Sequence, residues 1–190
     1  MHRIEDFFKY LYELSDLLSM KGVHANILMF GGGALSMRYR AREQTNDLDV
    51  VFQEDKIGFL KDMVKQVGIS NNIEPDWMND KGIGSVTKEI LEDSTVFIEL
   101  PGLTLLTPSL EALLAMKICS MRIGEDFPDI DDIRFLLLKT GIASSDKVFE
   151  ITEKYRSDYI SYLTPKHEYI IKALLEESIS ESEKTTSFPV

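Results

Sequence analysis

The stretch that most constrains the fold is residues 26–52. Asn26-Ile27-Leu28-Met29-Phe30 runs directly into Gly31-Gly32-Gly33 and continues as Ala34-Leu35-Ser36-Met37-Arg38-Tyr39. An apolar run, a glycine cluster and a helical pattern in that order read as strand, tight turn and helix. A second short apolar run, Leu48 to Phe52, reads as another strand. Residues 56–67 then place Ile57, Leu60, Met63, Val64 and Val67 at helical spacing before Gly68. Alternating strands and helices bury their apolar faces as stacked layers, which predicts an α/β architecture.

The flanking segments extend this pattern. Residues 3–21 set Ile4, Phe7, Phe8, Leu11, Leu14, Leu17 and Leu18 on one helical face, and Gly22 stands where a helix stops. Residues 69–84 are polar around Trp77 and predict a loop with Trp77 as its anchor. Ser85–Leu91, Thr95–Leu100 and Leu103–Leu106 predict strands, the last two joined at Pro101-Gly102. Beyond them the pattern is helical: 109–123 capped by Ser109, 128–140 opened by Pro128 and closed by Gly141, then 144–156 and 165–179. The expected organisation is an α/β core with its N-terminal helix over 1–107, a helical part over 108–180, and a disordered tail over 181–190.

Composition bounds the function. The chain has 190 residues, 21 Lys and Arg against 32 Asp and Glu, and a formal charge of −11. That balance argues against indiscriminate wrapping of nucleic acid, because bulk attraction to phosphate needs a basic surface. One cysteine, Cys119, rules out an internal disulfide and a cysteine metal cluster, in keeping with a reducing compartment. The N-terminus carries acids where a signal peptide needs an uninterrupted apolar run, and no stretch approaches about 20 apolar residues, so neither a signal peptide nor a membrane span is expected. The expected location is the cytoplasm.

The sharpest chemical signal is Thr45-Asn46-Asp47-Leu48-Asp49-Val50-Val51-Phe52. Two carboxylates one residue apart on a strand project to the same face, with Cα atoms about 6.6 Å apart. Such a pair suits Mg²⁺, which prefers oxygen ligands and keeps part of its shell for water and phosphates. The plainer reading is an exposed acidic strand edge. Gly31-Gly32-Gly33, between strand and helix, lets backbone come close to a phosphate. A tight turn alone would explain one of these glycines, and the run matches neither G-x-G-x-x-G nor a P-loop.

A second pair follows from helical geometry. On the helix after Ser109, Lys117 falls within the stripe of Leu110, Leu113, Leu114, Ile118 and Met121. On the helix after Pro128, Asp129 falls on the apolar side, with Asp131 and Asp132 toward the flanks. A lysine and an aspartate that meet offset much of each other's desolvation. A structural salt bridge, or a lysine snorkelling to water, accounts for the same pattern. Arg38, Arg40 and Arg42 precede the paired acids and would suit a triphosphate or a nucleic-acid acceptor, or simply line a solvated loop. Glu99 is a candidate third metal ligand, with exposure the better reading. His2, His24 and His167 have no metal-ligand spacing. Cys119 lies opposite its helix's apolar stripe and is assigned no nucleophilic role.

Together these blocks, in this order, resemble the nucleotidyltransferase superfamily, and within it the minimal bacterial branch that includes AbiEii-like toxins. The resemblance spans roughly residues 23–140. Its signature separates a double glycine from an Asp-apolar-Asp motif. Here 13 residues lie between Gly32-Gly33 and Asp47, or 14 from Gly31-Gly32, so two glycine registers fit. The resemblance implies a polymerase β-type fold, with a small mixed sheet flanked by helices and a C-terminal helical bundle. It implies that Asp47 and Asp49 bind Mg²⁺, that the glycine turn contacts an NTP, and that Lys117 and Asp129 complete the site. The expected nucleotide contacts are Gly31, Gly32, Gly33, Ser36, Arg42 and Thr45. The chain departs from the pattern in having no carboxylate in Leu103–Leu106, and Gly33 where a hydroxyl residue follows the double glycine. The activity implied is transfer of a nucleoside monophosphate from an NTP to an acceptor hydroxyl on tRNA, other RNA or protein, as the toxin of a toxin-antitoxin pair with an antitoxin protein as partner. Two other readings are a non-catalytic nucleotide-binding or protein-interaction module and a phosphohydrolase using the same acids.

Overall fold

In the computed structural model the described residues are 2–53, 57–122 and 128–186, with 178–186 given by their backbone alone. They divide into two units, Met1–Ser109 and Leu110–Val190. In the first, β1 (His2–Arg3) leads into α1 (Ile4–Met20), whose helical spacing buries Ile4, Phe7, Leu11, Leu14 and Leu18. Next come β2 (Ala25–Phe30), α2 (Gly31–Met37), β3 (Gln44–Thr45), β4 (Leu48–Phe52) and α3 (Ile57–Ser70). The unit closes with β5 (Met78–Asn79), α4 (Lys88–Glu92), β6 (Thr95–Leu100) and β7 (Leu103–Thr107).

Five strands form one mixed sheet in the order β5-β4-β2-β7-β6, and β1 and β3 pair separately. The central strand β2 runs antiparallel to β4 and parallel to β7. Burial on both faces explains its continuous apolar run, with Ile27, Leu28, Met29 and Phe30 all buried. In β4 the burial alternates, with Leu48, Val50 and Phe52 buried and Asp49 and Val51 half-buried. This period of two turns the carboxylate of Asp49 away from the Leu48 face. The architecture is thus the expected mixed α/β arrangement with a small sheet and flanking helices.

Two segments fold differently from their sequence pattern. Ser85–Leu91 is not a strand: Thr87 Oγ1 accepts from Ile90 N–H and starts α4, which an i,i+4 pair between Lys88 and Glu92 spans at 3.3 Å. A capped turn with its own ion pair outweighs a weak alternation. Residues 69–84 also carry more structure than a loop, because α3 continues to Ser70 and Met78–Asn79 joins the sheet parallel to β4. Trp77 is the anchor expected, buried with its indole N–H donating to the Val64 carbonyl at 2.9 Å.

The second unit is helical: α5 (Leu110–Ser120), α6 (Asp129–Thr140), α7 (Ser145–Arg156) and α8 (Pro165–Thr186). The helix expected to reach 123 ends at Ser120, and Ile123 lies outside the described residues. Gly141 closes α6 in the left-handed region, and Ser144 caps α7. α8 runs six residues into the segment expected to be disordered; Glu and Lys favour helix and no Gly or Pro falls between Pro165 and Pro189. Residues 187–190 lie outside the described residues. α5 is buried on more than one stripe, with Ala112, Ala115, Met116 and Cys119 buried beside Leu113, Leu114 and Ile118. Cys119 is therefore in the interior, and burial pushes its thiol up to about 11. Among the described residues no helix is long and apolar enough to cross a membrane.

Candidate functional site

The antiparallel register of β2 and β4 sets Asp49 opposite Phe30, one residue before the glycines. Gly31 follows with φ +61°, and a Cβ there would lie 3.0 Å from Asp49 Oδ2. Only glycine accepts both the positive φ and that approach. The turn and the second carboxylate of the D-x-D motif are thus packed together. At Gly32 a Cβ would lie 2.9 Å from Arg42 Nη2 and 3.8 Å from Thr45 Oγ1, which brings both of those expected residues to the same turn.

The other expected contacts sit elsewhere. A Cβ on Gly33 would meet Leu48 Cδ2 at 2.9 Å, so this glycine packs on the core side. Ser36 is fully buried, and its hydroxyl has no hydrogen-bond partner among the described residues. Arg38 donates to Thr107 Oγ1 and the Thr95 carbonyl and lies over the rings of Tyr39 and Phe97, which gives it a structural place beside β6 and β7. Arg40 lies over the Phe8 ring at 5.7 Å. Of the three arginines, Arg42 is the one placed at the glycine turn.

Asp47 and Asp49 are both half-buried, and their surroundings include a third segment. Asn79 on β5 is paired in register with Asp49, and its Nδ2 donates to Asp47 Oδ2 at 2.9 Å. Its Oδ1 accepts from the Lys81 N–H at 3.1 Å. Hydrogen bonding and charge from Asp76, reinforced by Asp47 and Asp49, raise the Lys81 ammonium above the ordinary lysine value. A Cβ on Gly82 would touch the Phe30 ring at 3.0 Å and stand 3.8 Å from Asp49 Oδ1. Beside this segment is a cavity of about 460 Å³ lined by Lys61, Pro75, Met78, Asn79 and Lys81 among others.

The donor set fits a magnesium ion in kind: two carboxylates, hard oxygen ligands, beside a glycine on which a Cβ would lie 3.0 Å from Asp49 Oδ2. Among the described residues no third His, Cys, Asp or Glu joins them. Glu99 is exposed on β6, three strands from β4 in the sheet order, about 14 Å at the usual interstrand spacing. It is therefore no substitute for a third carboxylate beside Asp47 and Asp49.

In the helical unit Lys117 and Asp129 meet, with Nζ 3.1 Å from Asp129 Oδ1. Asp132, expected on a flank, is also buried and is the closer partner at 2.7 Å. Asp129 Oδ2 accepts from the backbone N–H and Nε of Arg122 at 3.2 and 3.0 Å. Burial alone would raise the Asp129 carboxyl, but the Arg122 and Lys117 donors outweigh it and hold the group below the usual carboxylate range.

Residues 5–162 match the family described as nucleotidyltransferase of unknown function (DUF6036). The chain belongs to this family. No curated protein and no solved structure matches it significantly. The span matched to this nucleotidyltransferase family contains the glycine turn, the D-x-D motif, Asn79 and the Lys117–Asp129 pair. Three residues beside the paired acids escaped the sequence reading: Asn79, Lys81 and Gly82. They lie some thirty residues past Asp49, and what brings them there is the two-residue strand Met78–Asn79. Its only local signal is the apolar pair Trp77-Met78 ahead of Asn79, too short for any periodicity to show.

Proposed function

We propose that this family member is a Mg²⁺-dependent nucleotidyltransferase of the AbiEii-like kind, moving a nucleoside monophosphate from an NTP to an acceptor hydroxyl. The hydroxyl oxygen forms a bond to the α-phosphorus, the bond from that phosphorus to the bridging oxygen breaks, pyrophosphate leaves, and the hydroxyl proton passes to solvent. The observation that carries the reading is the approach of the Asp49 carboxylate to Gly31, where a Cβ would lie 3.0 Å from Oδ2, which sets the glycine turn beside an acid of the kind that suits a metal.

In this reading Asp47 and Asp49 hold the ion, Gly31 and Gly32 leave the backbone open to the triphosphate, and Arg42 and Thr45 stand at the same turn to contact its oxygens. The bound ion would supply charge neutralisation for the leaving pyrophosphate. Lys117 is assigned to charge on the triphosphate and Asp129 to orienting Lys117, an assignment supported by the resemblance and by their ion pair. Most of the catalysis is then positioning and electrostatic stabilisation, as in phosphoryl transfer generally. An RNA acceptor, tRNA among the candidates, and an antitoxin partner belong to the same proposal.

The position of Glu99 favours one alternative, a nucleotide-binding module with little or no turnover, because it leaves two carboxylates where a polymerase-like site uses three. Incubation with Mg²⁺ and each labelled NTP, offered tRNA, other RNA and protein, decides between them. Label reaches one acceptor class in the wild type and none in Asp47→Ala plus Asp49→Ala. Transfer that survives the double substitution overturns the site, and NTP binding without transfer to any acceptor selects the module.

A further inference from the structure

We infer that Asn79 is the positioning residue for Asp47, presetting the carboxylate that the proposed function assigns to the metal; the inference rests on that assignment. Asn79 is 6% exposed, and both ends of its amide are engaged. The Lys81 backbone N–H can only donate, so the Asn79 atom facing it at 3.1 Å is the carbonyl oxygen. The NH₂ group is thereby fixed toward Asp47, and a carboxylate can only accept, so the 2.9 Å contact to Oδ2 has one possible sense. A flipped amide would oppose donor to donor at one end and acceptor to acceptor at the other. The backbone of the β5 turn thus dictates which way Asn79 points, and Asn79 dictates which way Asp47 points.

The chemistry of the donor suits this task. A lysine or arginine in the same place would neutralise Asp47 and compete with a cation for it. A neutral amide occupies one lone-pair direction of Oδ2 and leaves Oδ1 and the full negative charge for the ion. The support is rigid because β5 is paired to β4 at Leu48↔Met78 and Asp49↔Asn79, so the residue that orients the first acid sits on the neighbouring strand, directly opposite the second. Asp47 itself lies just before β4, where no ladder hydrogen bond fixes its direction. Metal-ligand carboxylates are commonly held by such hydrogen bonds, and their loss weakens metal binding about 10–100-fold.

Direct Mn²⁺ titration of the full chain, followed by the electron paramagnetic resonance of free Mn²⁺, tests the inference without relying on turnover. Wild type binds, Asp47→Ala does not, and Asn79→Ala binds about 10-fold or more weakly while its thermal melt stays close to wild type. In parallel, the Asn79 side-chain NH₂ resonances of the wild type, assigned in the ¹⁵N–¹H spectrum, move on saturation with Mg²⁺ and do not move in Asp47→Ala. This second measurement stands even where Asn79→Ala does not fold. Undiminished binding by a folded Asn79→Ala, or NH₂ resonances that ignore Mg²⁺, overturns the role of Asn79 and leaves the metal site standing. Binding that is absent from wild type, or unaffected in Asp47→Ala, overturns the metal site and the Asn79 inference with it.

Discussion

Replacing Asp129 by asparagine isolates what the buried carboxylate does in the helical unit. Both of its oxygens are in use, Oδ1 by Lys117 Nζ and Oδ2 by two N–H donors of Arg122. Asparagine offers one acceptor oxygen, so in either orientation its NH₂ faces a donor. The better orientation keeps the two Arg122 bonds and turns the NH₂ toward the Lys117 ammonium. Lys117 retains Asp132 at 2.7 Å, which limits the damage to one charged hydrogen bond in a site where the side chains of Lys117, Asp129 and Asp132 are 12%, 3% and 2% exposed. A lost hydrogen bond to a charged group costs about 1.5–3 kcal/mol. At about 2–4 °C per kcal/mol for a chain of this size, the melting temperature falls by about 3–12 °C. Lys117→Met is more severe, because it leaves two buried carboxylates beside each other; breaking a buried pair in this way costs about 3–5 kcal/mol. Thermal and urea unfolding of the three proteins give the ranking directly. A melting temperature for Asp129→Asn within about 1 °C of wild type, or a milder effect for Lys117→Met than for Asp129→Asn, refutes the claim that the acids are ordered around the ammonium.

Three further outcomes follow from the same geometry. Because the folded Asp129 carboxyl sits below the ordinary value of about 3.9, its contribution is complete above that value and is lost as pH falls through the folded one; urea midpoints measured from pH 6 down to pH 3 drop most below about pH 4, and less so in Asp129→Asn. Gly31→Ala imposes a Cβ at φ +61° and 3.0 Å from Asp49 Oδ2, costing about 1–2 kcal/mol in backbone strain. It also displaces the carboxylate, so Mn²⁺ affinity falls by more than the melting shift alone suggests; unchanged affinity speaks against Asp49 as a ligand. Cys119, buried and with its thiol raised to about 11, reacts with an aromatic disulfide reagent at pH 8 only in the unfolded chain, and rapid labelling of the native protein contradicts its placement.

What the sequence made legible was set by range. β2, the glycine turn and β4 were readable because each is a continuous local pattern, and the contact between Gly31 and Asp49 then follows from one antiparallel pairing. The inward-facing positions of Lys117 and Asp129 were readable because a helical wheel converts residue number into direction. The wheel placed Asp132 on a flank, yet it is the nearer partner of Lys117, since a long ammonium stem reaches acids one turn apart on the facing helix. Asn79 was unreadable for a different reason. A strand of two residues has no period, and its pairing with β4 is decided by α3 and the Trp77 anchor, whose burial among Phe7, Tyr10 and Val64 is a tertiary fact. The misread strand at Ser85–Leu91 shows the converse, where one Thr87 cap redirected a segment whose residues alternate weakly.

The charge of −11 also takes on a more specific meaning at the level of the site. Around the paired acids the cations among the described residues are few: Arg42 at Gly32, and Lys61, Lys65 and Lys81 along the neighbouring cavity. Lys61 pairs with Asp80 at 2.8 Å and Lys81 with Asp76. An RNA acceptor held by such a surface would neutralise about two to four phosphates. At about 0.7 counterion released per phosphate on a single strand, the logarithm of its affinity falls against the logarithm of salt concentration with a slope of about −1.5 to −3. Fluorescence anisotropy of a labelled RNA between 50 and 200 mM salt, taken as rough working limits, reads that slope. A slope of about −6 or steeper would require a broad basic surface that these residues do not form, and the proposed acceptor would then have to be held elsewhere than beside Asp47 and Asp49.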